Sequence, residues 1–136
     1  MIRDQKVLSE ILEQWKAIRK LCSGSVRQYM LHGAIIDERR ESEFYNLPFV
    51  LAYAVLDQVL AELINQGTFQ CAGKTPQLGK KMKASQKVVP WQDYKNITNG
   101  KKERNLLAHK AKLLNKDKCF EYIDAIETEL KAWGVL

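Results

Sequence analysis

Val7, Leu8, Ile11, Leu12, Trp15, Ile18 and Cys22 recur at steps of three and four, which predicts a helix with one apolar stripe over 7–22. Ser23-Gly24-Ser25 interrupts it. Ser25 and Gln28 have capping-box spacing, so a second helix, or a kinked continuation, is expected through Val26, Met30, Gly33 and Ile36. Residues 37–42 read as a charged connection. Asn46 is suited to cap the next helix, with Pro48 tolerated in its first turn, and that helix should reach about Gln66. It is apolar over a broad arc and is expected at the centre of the fold. The stretch 67–89 carries Gly73, Pro76, Gly79 and five lysines, and reads as an irregular basic loop with one short helix. Pro90 restarts helix with Trp91, Tyr94 and Ile97. Asn99-Gly100 offers a break, and a helix over 101–114 with Leu107, Ala111 and Leu114 on one side should follow. Asp117 is placed to cap a last helix, whose stripe of Cys119, Ile123, Ile126, Leu130 and Trp133 ends at Gly134.

No run alternates with a convincing period of two, so the expected class is all-α, a small bundle of about four or five helices. With 136 residues and no linker or repeat, residues 1–136 read as a single domain. The run 47–64 is long enough to suggest a membrane span, but Pro48, Asp57, Gln58 and Glu62 lie inside it. Charges at bilayer depth are costly, so a buried core helix is expected and no membrane partner. The polar start, Met1-Ile2-Arg3-Asp4-Gln5-Lys6, lacks a signal-peptide apolar region. Cys22, Cys71 and Cys119 are odd in number and far apart, which points to a reducing, cytoplasmic setting rather than a disulfide framework.

Charge changes the picture. Residues 1–68 hold 8 basic and 9 acidic side chains, whereas residues 69–136 hold 14 and 7. The window from Lys74 to Lys118 is sharper, with 13 basic side chains against 3 acidic ones. Such a block attracts polyanions: RNA, DNA or anionic lipid. The plainer alternative is a solvated lysine-rich face.

Several motifs fail. Gly73-Lys74-Thr75 resembles the end of a P-loop, but the required glycine position holds Thr68 and a helix precedes it rather than a strand. Asn96-Ile97-Thr98 is a glycosylation sequon in form only. Two histidines without paired Cys or His partners give no expected metal site, and no cofactor is expected.

Arg104-Asn105-Leu106-Leu107-Ala108-His109 is the constellation with chemical content. Asn105 and His109 are four apart on one helix face, so the amide is suited to orient the imidazole. Arg104 precedes His109 by five residues, roughly 140° round a straight helix, so the two side chains should diverge unless the helix bends or two copies meet. That geometry favours a dimeric cleft. The available chemistry is phosphodiester cleavage without metal. RNA carries its own nucleophile, the ribose 2′-hydroxyl; a histidine can take its proton, and an arginine can stabilise the charge growing on the phosphate. DNA lacks that hydroxyl.

Arg-polar-x-x-x-His in an all-helical domain of this size resembles the HEPN superfamily, whose members often carry an R-x4-6-H motif. The polar residue after Arg104 and the position before a final amphipathic helix fit it. The resemblance implies a helical bundle that forms a homodimer with both motifs lining one cleft. It also implies metal-independent ribonuclease activity in toxin–antitoxin, antiphage or RNA-processing roles, with an antitoxin protein as a candidate partner. Some relatives have Tyr two residues after the His, where an antitoxin attaches a nucleotide; here that position is Ala111. Arg104, Asn105 and His109 are thus the candidate catalytic residues, and Lys101, Lys102, Lys110 and Lys112 the candidate RNA contacts. Arg27-Gln28-Tyr29-Met30-Leu31-His32 has the same spacing, but lies outside the basic block and reads as a helix surface. Trp91 and Tyr94 read as core residues or base-stacking platforms, and Asp57, Glu62 and Asn65 as the polar side of the central helix. The competing functional classes are a non-catalytic helical module binding RNA or protein, and a purely structural bundle.

Overall fold

The computed structural model describes the backbone of residues 1–136 and all side chains except those of Ser25 and Val26. It contains α1 (Gln5–Leu21), a hairpin of β1 (Ser25–Leu31) and β2 (Ala34–Arg39), a 3-10 turn (Ser42–Tyr45), α2 (Asn46–Asn65), α3 (Leu78–Ser85), α4 (Tyr94–Lys110) and α5 (Lys116–Ala132). The helices form a bundle around α2, which touches each of the other four. Phe49, Ala52, Tyr53, Leu56, Val59, Leu60 and Leu63 of α2 are fully buried. By length and apolarity α2 with its preceding turn passes as a membrane span, but half of its most apolar window is buried by the rest of the bundle.

The two clearest sequence stripes reappear as buried faces. Ile11, Trp15 and Ile18 turn α1 inward, and Cys119, Ile123, Ile126 and Leu130 do so for α5. Asp4 caps α1 by accepting from the amides of Lys6 and Val7. The same two helices are clamped by a polar cluster. Glu127 accepts from Trp15 Nε1 at 2.7 Å and from Arg19 at 2.6 and 3.0 Å, while Arg19 also reaches Asp124 at 2.8 Å. Near the end of α5, the buried Glu129 carboxylate accepts from the backbone amides of Gln92 and Asp93, which fixes the entry to α4.

The helix expected over 25–36 is instead an antiparallel hairpin pairing Tyr29 with Ile36, Met30 with Ile35 and Leu31 with Ala34. His32 and Gly33 both take positive φ, 49° and 79°, the geometry of a two-residue hairpin turn. Gly33, placed on a helical stripe by its spacing, is the residue that reverses the chain. The fold is therefore a mostly helical bundle of five helices, as expected, with one small two-stranded sheet added.

Other boundaries also move. Asn46 lies one residue inside α2, and its amide is buried instead of capping the helix. It donates to the carbonyls of Glu43 (3.0 Å) and Leu114 (2.8 Å) and accepts from the amide of Leu114 (2.9 Å). Helix does not restart at Pro90 but at Tyr94, after the Asp93 cap. It runs through Asn99-Gly100 without a break and stops at Lys110, where Ala111 adopts φ 51°. Asn115, not Asp117, caps α5. Gly100 is buried because α4 needs a close approach there: a methyl group would collide with Tyr53 Oη and lie 2.7 Å from a Tyr122 ring carbon.

Candidate functional site

Three elements meet at a cleft of about 370 Å³ lined by Asp57, Gln77, Leu78, Gly79, Lys101, Arg104, Asn105 and His109. Asp57 comes from α2; Gln77, Leu78 and Gly79 form the start of α3; the other four project from α4. Local contacts hold these walls in place. Lys81 Nζ donates to Asp57 Oδ1 at 2.7 Å and ties α3 to α2, with the Lys81 side chain only 11% exposed. Tyr53 Oη donates to the carbonyl of Ile97 at 2.8 Å and anchors α4 one turn before the cleft residues. Burial and the adjacent Tyr122 push the Tyr53 phenol far above its ordinary range, while the positive charge of nearby Arg104 opposes that rise. Tyr53 therefore serves as a neutral structural donor.

Arg104 and His109 line the same cavity within one chain, on an unbroken helix. The angular divergence expected from their spacing does not keep the two out of one cavity. Arg104 Nη2 donates to Asn105 Oδ1 at 3.0 Å, which draws the guanidinium toward the side of the helix that carries His109. Asn105 thus partners the arginine. Among the described residues no hydrogen bond joins it to His109, the group it was expected to orient. The imidazole is exposed in the last turn of α4.

The candidate RNA-contacting lysines separate into two groups. Lys101 is half-buried in the cleft, and its ammonium lies 2.7 Å from where a Cβ on Gly79 would stand, so the glycine leaves room for it. Lys102 is exposed on the adjoining surface of α4, whereas Lys110 and Lys112 are exposed beyond the cleft lining. Between Lys74 and Lys112, Lys81 is the one basic side chain in an ion pair among the described residues. Elsewhere, Lys16, Arg19, Arg27, Arg39, Lys118 and Lys131 all have carboxylate partners. Among the described residues Lys101 and Arg104 form no ion pair, and the one carboxylate lining the cleft, Asp57, is taken by Lys81.

The second motif copy lies apart, on the hairpin. Arg27 pairs with Glu38 across the strands at 2.7 Å, and His32 sits in the turn. Trp91 and Tyr94 pack edge-to-face with each other, and Trp91 does the same with Trp133. Trp91 Nε1 also donates to the buried Ser85 hydroxyl, so its indole belongs to the packing. Burial pushes the Cys119 thiol up to about 11, which removes it as a nucleophile near neutral pH. Asn65 lines a separate cavity with Cys71 and Lys74. The wall made by Gln77, Leu78 and Gly79 is absent from the sequence-based expectations. Its only signal there is the Pro-x-Leu-Gly punctuation inside a basic stretch.

Searches against family models, curated proteins and solved structures find no match for the chain. The functional reading therefore rests on the cleft and on the motif.

Proposed function

We propose that this protein is a metal-independent, HEPN-like endoribonuclease. The carrying observation is that Arg104, His109 and Lys101 line one cavity and, among the described residues, form no ion pair, the Asp57 carboxylate beside them being held by Lys81. In this reading Arg104 and Lys101 bind the non-bridging oxygens of a scissile phosphate and stabilise the charge that grows on them. His109 accepts the 2′-hydroxyl proton as the 2′-oxygen attacks phosphorus. The P–O5′ bond breaks, the departing 5′-oxygen takes up a proton from the imidazolium or water, and the products are a 2′,3′-cyclic phosphate and a 5′-hydroxyl. Asn105 acts by holding the guanidinium. The protein works on RNA as a cytoplasmic homodimer in which both motifs line one shared cleft, and a toxin role would bring an antitoxin protein as its partner.

The test is cleavage of single-stranded RNA in EDTA. Wild-type turnover that His109→Ala abolishes, with RNA binding retained, supports the reading. Cleavage that survives His109→Ala, or that requires added Mg²⁺, overturns it. The unpaired lysines also favour a second reading, a non-catalytic RNA-binding module, which predicts salt-sensitive binding without turnover. Sedimentation at micromolar concentration tests the homodimer.

A further inference from the structure

The thirty residues 63–92 contain five lysines and no carboxylate. The structure turns this bias into an ordered surface. Leu78, Met82 and Ser85 bury one side of α3, and Val89 continues that side beyond its end. Lys80 and Lys83 of α3 are exposed, as is Lys87 in the turn beyond its end. Positions three apart on a helix, as Lys80 and Lys83 are, share a face, with about 1.5 Å of rise per residue. The Lys81–Asp57 pair fixes α3 against α2, so the exposed lysines ride on a held element. The first turn of α3 borders the Arg104–His109 cleft, and Lys80 and Lys83 border a shallow groove of about 300 Å³ with Gln70, Cys71, Ala72 and Ala84.

We infer that α3 is a second binding segment for single-stranded RNA, carrying the strand away from the cleft through phosphate contacts with Lys80 and Lys83. This inference rests on the ribonuclease reading for the direction of the strand. Charge complementarity selects the occupant: these cations have no ion-pair partners among the described residues, and their spacing suits successive phosphates of one flexible strand. A membrane surface fits less well, because an interfacial helix inserts its apolar face and α3 has already buried its own against the bundle. The contacts carry no base readout, so they set substrate length rather than sequence.

Binding of 2′-O-methyl oligonucleotides, which lack the attacking hydroxyl, tests this in the full chain by fluorescence anisotropy. Lys80→Ala/Lys83→Ala should weaken a 12-mer about tenfold or more. It should also flatten the dependence of log affinity on log salt by about 1.4, roughly 0.7 for each lost single-strand phosphate contact. A trinucleotide that spans only the cleft should change less than twofold. An unchanged 12-mer affinity and slope overturns the inference, as does equal weakening of the trinucleotide. Tighter, lysine-dependent capture of phosphatidylserine vesicles or a poly-glutamate peptide than of RNA also overturns it. Absence of cleavage by the wild-type protein counts against the catalytic reading alone, since the salt slope judges α3 independently.

Discussion

Arg104 Nη2 and Asn105 Oδ1 are hydrogen-bonded at 3.0 Å, so the guanidinium is steered by its own sequence neighbour. Asn105→Ala removes that anchor without changing the charge of the cleft. Under the proposed ribonuclease reading, RNA cleavage should fall about 10–100-fold through mispositioning, with RNA binding largely retained. Asn105→Asp should act differently. It pairs the guanidinium with a carboxylate and weakens RNA binding itself, which anisotropy would separate from the loss of turnover.

Gly100→Ala tests the close packing of α4. Helix propensity alone favours alanine by about 1 kcal/mol. Here the added methyl meets rigid ring atoms of Tyr53 and Tyr122, so overpacking should win and leave a net loss of about 1–3 kcal/mol in urea unfolding. Tyr53→Phe removes the worst collision, so the cost of Gly100→Ala should shrink in that background.

The Arg19–Glu127 clamp predicts acid sensitivity. The Arg19 guanidinium, with the Trp15 indole, lowers the Glu127 carboxyl from its ordinary 4.5 to about 2. A carboxylate with a depressed folded pKa binds protons more readily when unfolded, so its stabilisation is present above about 4.5 and is lost as pH falls toward 2. Thermal melting over that window should show the decline. Glu127→Gln should melt lower near neutrality and show a shallower acid slope.

Asn46 replaces two backbone partners for Leu114, and Asn46→Ala would leave both groups without them. The expected cost is about 1–3 kcal/mol, measured by denaturant unfolding. Hydrogen exchange should rise first in the segment 111–115, where the tie is lost.

α1 and α5 are legible in the sequence because each has a complete apolar stripe and one buried side, so local period and tertiary demand agree. The hairpin is not. Met30 and Ile35 are 68% and 74% exposed, so no buried face imposes the period-two pattern that announces a strand. Asn99-Gly100 reads as a stop because glycine's local meaning is a break, whereas its use here depends on Tyr53, far away in the chain. Asn46 misleads for the same reason: its partner is Leu114. The motif itself can be read directly, but the cavity that Arg104 and His109 share depends on how α2 and α3 pack against α4, which residue spacing does not contain. The α3 wall is hidden because Gly, Pro and Lys obscure the helical period of residues 78–85.

β1 and β2 make their principal contacts with each other, and their tip stands off the helices. The molecule therefore consists of a cooperative body and an appendage with little share in its unfolding free energy. Trimming the segment between Cys22 and Glu41 to a short flexible bridge should leave the melting transition and the Arg104–His109 cleft almost untouched. By the same logic, substitutions at the exposed Met30 and Ile35 of this protrusion should leave the helical body unchanged.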